Sequence, residues 1–137
     1  MKKLFALVSI MLSSLCIYAQ TATGSCKLPG SYDYVKVGYY DDGHLAVSVQ
    51  SNMSLAELHI TVTCTATWTE QINRGGGHYD YVERSKDLTL CDKDFYNIPC
   101  CQTSMLNDGV YAPQSKCNLR GAEFSNYNVY VGNLICK

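Results

Sequence analysis

Leu58-His59-Ile60-Thr61-Val62-Thr63-Cys64-Thr65-Ala66-Thr67-Trp68 is the most regular stretch of the chain. Leu58, Ile60, Val62, Cys64, Ala66 and Trp68 alternate without a miss against His59 and the threonines at 61, 63, 65 and 67. Successive side chains of a strand point to opposite faces, so this two-residue period puts every apolar group on one side. It predicts a strand with one face buried and the other in water, as antiparallel sheets have.

Outward from this strand, Tyr79 to Leu90 is the expected hairpin partner, reached across a loop from Thr69 to His78. Gly75-Gly76-Gly77 within that loop suits neither helix nor strand. Upstream, Tyr32 to Tyr40 is rich in β-branched and aromatic residues and ends at Asp41-Asp42-Gly43, after which Leu45, Val47 and Val49 resume alternation. This reads as a first hairpin closed by a glycine with positive φ. Downstream, Tyr127 to Cys136 carries Val129, Val131, Leu134 and Ile135 and is the last expected strand.

Between Cys91 and Gly121 the alternation stops, while Asn97, Pro99, Asn107, Gly109, Pro113, Asn118 and four cysteines accumulate. Ordered loops of this length need support, so Cys91, Cys100, Cys101 and Cys117 are expected to staple an irregular region, with a short helix around Gln102 to Leu106. The fold expected is all-β or mostly β: a small antiparallel sandwich or barrel of about five to seven strands with a disulfide-stapled irregular region.

The amino terminus has its own logic. Met1-Lys2-Lys3 is basic, Leu4 to Leu12 is apolar except for Ser9, and Ser13 to Ala19 is more polar with small residues. The pattern resembles a bacterial export signal over residues 1–19, with cleavage expected after Ala19. Lipidation at Cys16 is the alternative, though Leu15 stands where a lipobox wants a small residue. Residues 20–137 then form a single disulfide-rich β domain, secreted or periplasmic. The apolar run falls well short of the roughly 20 residues that span a bilayer, so no transmembrane segment is expected.

Removing residues 1–19 takes away Lys2, Lys3 and Cys16, leaving nine basic and twelve acidic side chains. No Lys/Arg cluster exceeds two neighbours, which argues against a nucleic-acid partner held by charge. The remaining cysteines, 26, 64, 91, 100, 101, 117 and 136, are odd in number, so disulfides leave one unpaired and the pairing open. Cys100 and Cys101 are expected to bond to different partners, because a bridge between neighbours strains the peptide. Cys64, on the predicted buried face, reads as a small apolar core residue. Zinc would want paired spacings that the chain lacks, and no metal or cofactor is expected.

Chemistry is sparse. His44, His59 and His78 show neither i, i+4 nor i, i+2 spacing. His59, Glu70, Arg74, His78 and Glu83 around the second hairpin are the residues an acid/base hydrolase would draw on. Asp92-Lys93-Asp94 reads as a solvated turn, since Ile98 and Pro99 break any calcium-loop pattern. No catalytic residue is assigned, and the balance leans against an enzyme. Ten tyrosines follow residue 19, about half expected at the core edge and the rest on a contact surface.

These features predict an exported, non-enzymatic binding protein of inhibitor or immunity type, acting on another macromolecule. A surface adhesin or glycan-binding protein using the tyrosines is the alternative, and a small secreted hydrolase such as a ribonuclease a third reading. Binding is expected at Arg74, Gly75, Gly76, Gly77, His78, Tyr79 and Tyr81, where a glycine loop allows close backbone approach beside two amphipathic rings. The partner expected is a protein or glycan in the envelope or outside the cell.

Overall fold

The computed structural model describes residues 20–30 and 32–136; the expected export signal over residues 1–19, with Cys16, lies outside the described residues. The described residues form strands β1 (Gln20–Lys27), β2 (Tyr34–Tyr40), β3 (His44–Gln50), β4 (Leu55–Gly75), β5 (His78–Ile98), β6 (Thr103–Leu106) and β7 (Glu123–Cys136), with a helical turn α1 (Pro113–Lys116) before β7. They build two antiparallel sheets, ordered β1-β2-β3-β6 and β5-β4-β7.

The alternation read from the sequence sets the packing. Leu58, Ile60, Val62, Cys64 and Ala66 of β4 are buried, and they meet Val35, Val37 and Tyr39 of β2 and Leu45, Val47 and Val49 of β3 in one apolar cluster. Leu88, Leu90 and Phe95 of β5 and Val129 and Val131 of β7 complete it. The result is a mostly-β sandwich whose inner faces interdigitate, with no buried polar or charged side chain among the described residues.

Turn chemistry fixes the registers. Tyr40 pairs with His44 across Asp41-Asp42-Gly43, and Gly43 (φ +93°) donates its N–H to the Tyr40 carbonyl at 3.0 Å, as the sequence predicts for a three-residue hairpin. Gly24 has a different task. A Cβ there would collide with the carbonyl oxygen of Val129, so the missing side chain lets β1 close over β7 at one side of the sandwich.

Three local expectations are corrected. The segment from Thr69 to Gly75 is strand rather than loop; the turn is only Gly76-Gly77, both with positive φ, as a two-residue hairpin of mirror-image type requires. Cys91 to Ile98 continues β5, so Asp92-Lys93-Asp94 is strand and not a turn. The Gln102 to Leu106 segment pairs with β3 as strand β6 instead of forming a helix; the helical turn lies at Pro113, where proline suits a first helical position. Strand β1, Thr/Ser/Gly-rich, gave little periodic signal.

All seven described cysteines are free in this structure, so the disulfides expected in the 91–121 region are not shown. Hydrogen bonds and burial hold it. A bulge at Leu90 and Cys91 shifts the β4–β5 register, and the Leu90 carbonyl accepts the Tyr111 N–H at 2.9 Å. The Tyr39 hydroxyl donates to the Tyr111 carbonyl at 2.7 Å, while Val110, Pro113 and Cys117 are buried beneath.

Candidate functional site

Strands β4 and β5 are far longer than their neighbours, and the difference creates the site. The β4–β7 ladder ends at the Thr67–Glu123 rung, yet β4 continues to Gly75 paired only with β5. Eight residues, Trp68 to Gly75, therefore run on as a two-stranded ribbon about 27 Å long. Trp68 packs against the core at its root. From Thr69 to Asp87 every residue is exposed except Ile72 and Val82, which are half-buried.

Each face has its own character. Glu70, Ile72, Val82 and Arg84 extend the face that is buried lower down, with Ile72 diagonal to Val82. Two ion pairs brace it, Arg84 Nε to Glu70 Oε2 at 2.7 Å and Arg74 Nε to Asp80 Oδ2 at 2.8 Å. Exposed pairs of this kind contribute about 0–1 kcal/mol each, so they fix shape more than stability. On the opposite face Tyr81 lies across from Gln71 and Tyr79 across from Asn73, at 70% and 49% exposure. At the tip, Asn73 Oδ1 accepts the Gly75 N–H at 2.8 Å over a bulge that turns Arg74 out of register.

The expected binding residues Arg74, Gly75, Gly76, Gly77, His78, Tyr79 and Tyr81 thus all occupy the end of this ribbon. The proposed acid/base set does not assemble. Sixteen residues of extended chain, about 50 Å, separate His59 from Gly75, the cross-strand partner of His78. Glu70 and Glu83 face opposite sides of the ribbon, and His44 lies in the other sheet, stacked on Tyr40.

His59 instead sits on the outer face of the second sheet between two carboxylates that sequence reasoning had not joined to it. Its Nδ1 is 2.7 Å from Asp94 Oδ1 and its Nε2 2.8 Å from Asp92 Oδ1. The hydrogen bond to Asp94, then that to Asp92, raises the His59 pKa above the ordinary 6.5. A carboxylate against each nitrogen favours the protonated ring, clamped from β4 onto β5, and in that form it has no lone pair for a general base. An Asp-x-Asp on one strand opposite a histidine on the next was the available signal, hidden because that segment read as a turn.

A second missed feature is an open groove of about 650 Å³ at the end of the first sheet, bordered by Tyr32, Tyr34, Gln50, Asn52, Gln102 and Cys101. Tyr32 is 91% exposed, with the Lys27 ammonium 5.1 Å from its ring centre. The groove joins residues too distant in sequence for a pattern to reveal.

The cysteines divide by environment. Burial pushes the Cys64 and Cys91 thiols up, Cys91 to about 11, so both stay protonated and serve as small apolar side chains. Among the described residues no group of three or more His, Cys, Asp or Glu is placed to hold a metal ion, and no helix is long and apolar enough to cross a membrane. Comparison of the chain with protein-family models, with curated proteins and with solved structures finds no match.

Proposed function

We propose that this chain is an exported, non-enzymatic binding protein that grips a macromolecular partner with the end of the β4–β5 ribbon. The observation carrying this reading is the ribbon itself. A lone two-stranded hairpin is marginal in water, and this one adds no buried surface to the sandwich beyond Trp68. Ordered chain that contributes so little to the core is better explained by contact with another molecule. Tyr79 and Tyr81 supply large, stiff, amphipathic area at low entropic cost. Between Thr69 and Asp87 four acids face three bases, a balance that suits a protein surface better than a polyanion.

A glycan reading draws on a separate observation, the Tyr32 and Tyr34 rings beside the side-chain amides of Gln50, Asn52 and Gln102 in the open groove. The hydrolase reading gains nothing from a His59 whose nitrogens are both engaged.

The test compares the wild type with Tyr79→Ala/Tyr81→Ala, matched for thermal stability, in capture from host envelope and medium, with captured proteins identified by mass. Truncating central interface tyrosines costs on the order of 2 kcal/mol, about thirtyfold in affinity, so the double variant loses the partner. Equal capture by both overturns the ribbon assignment. A glycan array read with Tyr34→Ala decides for the groove if its signal falls while the ribbon variant's does not.

A further inference from the structure

After β5 ends at Ile98, the chain crosses Pro99 and places Cys100 and Cys101 beside the Tyr32/Tyr34 groove, whose wall Cys101 helps to form. Adjacent residues in extended chain point their side chains apart. Here they do not. Cys101 has φ +65°, a left-handed conformation uncommon for a residue with a Cβ, and the two Sγ atoms lie 3.3 Å apart. The pair is anchored on both sides: the Cys100 N–H donates to Ser54 Oγ at 3.3 Å, and Cys101 Sγ is 3.7 Å from the Ser51 carbonyl oxygen. Cys101 is exposed and Cys100 half-buried, so a reagent in the groove can reach them.

We propose that Cys100 and Cys101 form a reversible vicinal dithiol/disulfide site on the groove wall, whose reactants are external disulfides and thiols of the glutathione class. This proposal departs from the expectation that the two residues bond to different partners. The Cys101 thiolate attacks one sulfur of an external disulfide, forming a mixed disulfide and expelling one thiolate. Cys100, deprotonated in turn, attacks the Cys101 sulfur and expels the second. Two cysteine thiols are oxidised to one disulfide, one external disulfide is reduced to two thiols, and the two cysteine protons pass to the departing thiolates.

Geometry also determines how tightly such a bond is held. Neighbouring Cα atoms are about 3.8 Å apart across a trans peptide, below the usual disulfide span of about 4.4–6.8 Å. The ring is strained and belongs with labile, exchangeable disulfides rather than with permanent staples. Positive φ at Cys101 is backbone strain already present, and closing the ring brings the two sulfurs from 3.3 Å to about 2.05 Å.

The sequence provides a clean assay on the unaltered protein. Trypsin cleaves after Lys93 and Lys116 and releases residues 94–116, which contain Cys100 and Cys101 and no other cysteine. After equilibration with oxidised glutathione and trapping with N-ethylmaleimide, this peptide is expected unlinked, unalkylated and lighter than the dithiol by two hydrogens. Treating the native protein with excess reduced glutathione before trapping should return it doubly alkylated. Recovery cross-linked to a fragment bearing Cys26, Cys64, Cys91, Cys117 or Cys136 overturns the proposal. So does double alkylation after oxidation, or a closed ring that native-state glutathione fails to open. In Cys100→Ser, Cys101 should end as a glutathione mixed disulfide, since the resolving thiol is gone; a bond to another cysteine of the chain would refute the pairing.

Discussion

Excising the ribbon separates what folds the protein from what the ribbon is for. Thr69 and Glu83 are cross-strand partners, so residues 70–82 can be replaced by an Asn-Gly turn that closes the hairpin at that rung. No side chain in the excised stretch is buried; Ile72 and Val82 are only half-buried, diagonal on one face, and the ion pairs of Glu70 with Arg84 and Arg74 with Asp80 are exposed. Such contacts roughly offset the ribbon's own ordering entropy, leaving a change within about 1 kcal/mol against a typical total of about 5–15 kcal/mol. The corresponding Tm shift is under about 6 °C. Urea unfolding followed by the fluorescence of Trp68, the single tryptophan, reads it at the ribbon's root. Ile60→Ala, a truncation at a fully buried position, is the contrast and should cost about 2–5 kcal/mol. A loss above about 3 kcal/mol for the excised protein, or loss of cooperativity, would refute the reasoning by showing that the ribbon supports the core.

Two further outcomes test other parts of the fold. Gly24→Ala should destabilise by about 1–3 kcal/mol, because its Cβ meets the fixed Val129 backbone rather than a yielding side chain; unchanged urea midpoints would show that β1 does not need this close approach. His59, its folded pKa raised, stabilises the native state fully below its unfolded value near 6.5 and loses that contribution as pH rises through the folded value. The stability gap between wild type and His59→Gln should therefore be widest near about pH 6 and narrow upward, with an NMR midpoint for His59 above 6.5; a midpoint at or below 6.5 contradicts the double clamp.

The strands that were legible in the sequence were those whose inner and outer faces differ in solvent contact. Leu58 to Trp68 declared itself because each alternate residue enters the core, and Asp41-Asp42-Gly43 because its turn needs a positive φ. Beyond Trp68 both faces of β4 are wet, so nothing in the pattern told strand from loop, and the glycines suggested flexibility where they provide a tight turn. The bulge at Leu90 and Cys91 moved the downstream alternation out of phase, which hid the continuation of β5 and with it the Asp92 and Asp94 clamp on His59. The residues at the ribbon's end are singled out in the sequence by type alone, as tyrosines beside glycines. That they stand at the tip of a long arm depended on the unequal lengths of β4, β5 and β7, a tertiary property.

The continuity of β4 has a mechanical consequence. One unbroken strand runs from buried Leu55 to Gly75, so a load applied at the tip along the strand axis passes directly into the sandwich without a linker. Ladder hydrogen bonds lie perpendicular to the strands, and an axial pull shears the β4–β7 rungs from Leu55 to Thr67 together instead of breaking them in sequence. A sideways pull that parts the strands at Gly76-Gly77 unzips the ribbon rung by rung from its end. The arm is stiff under tension along its length and compliant to peeling, so the direction of a load at the tip determines whether the ribbon transmits it or opens.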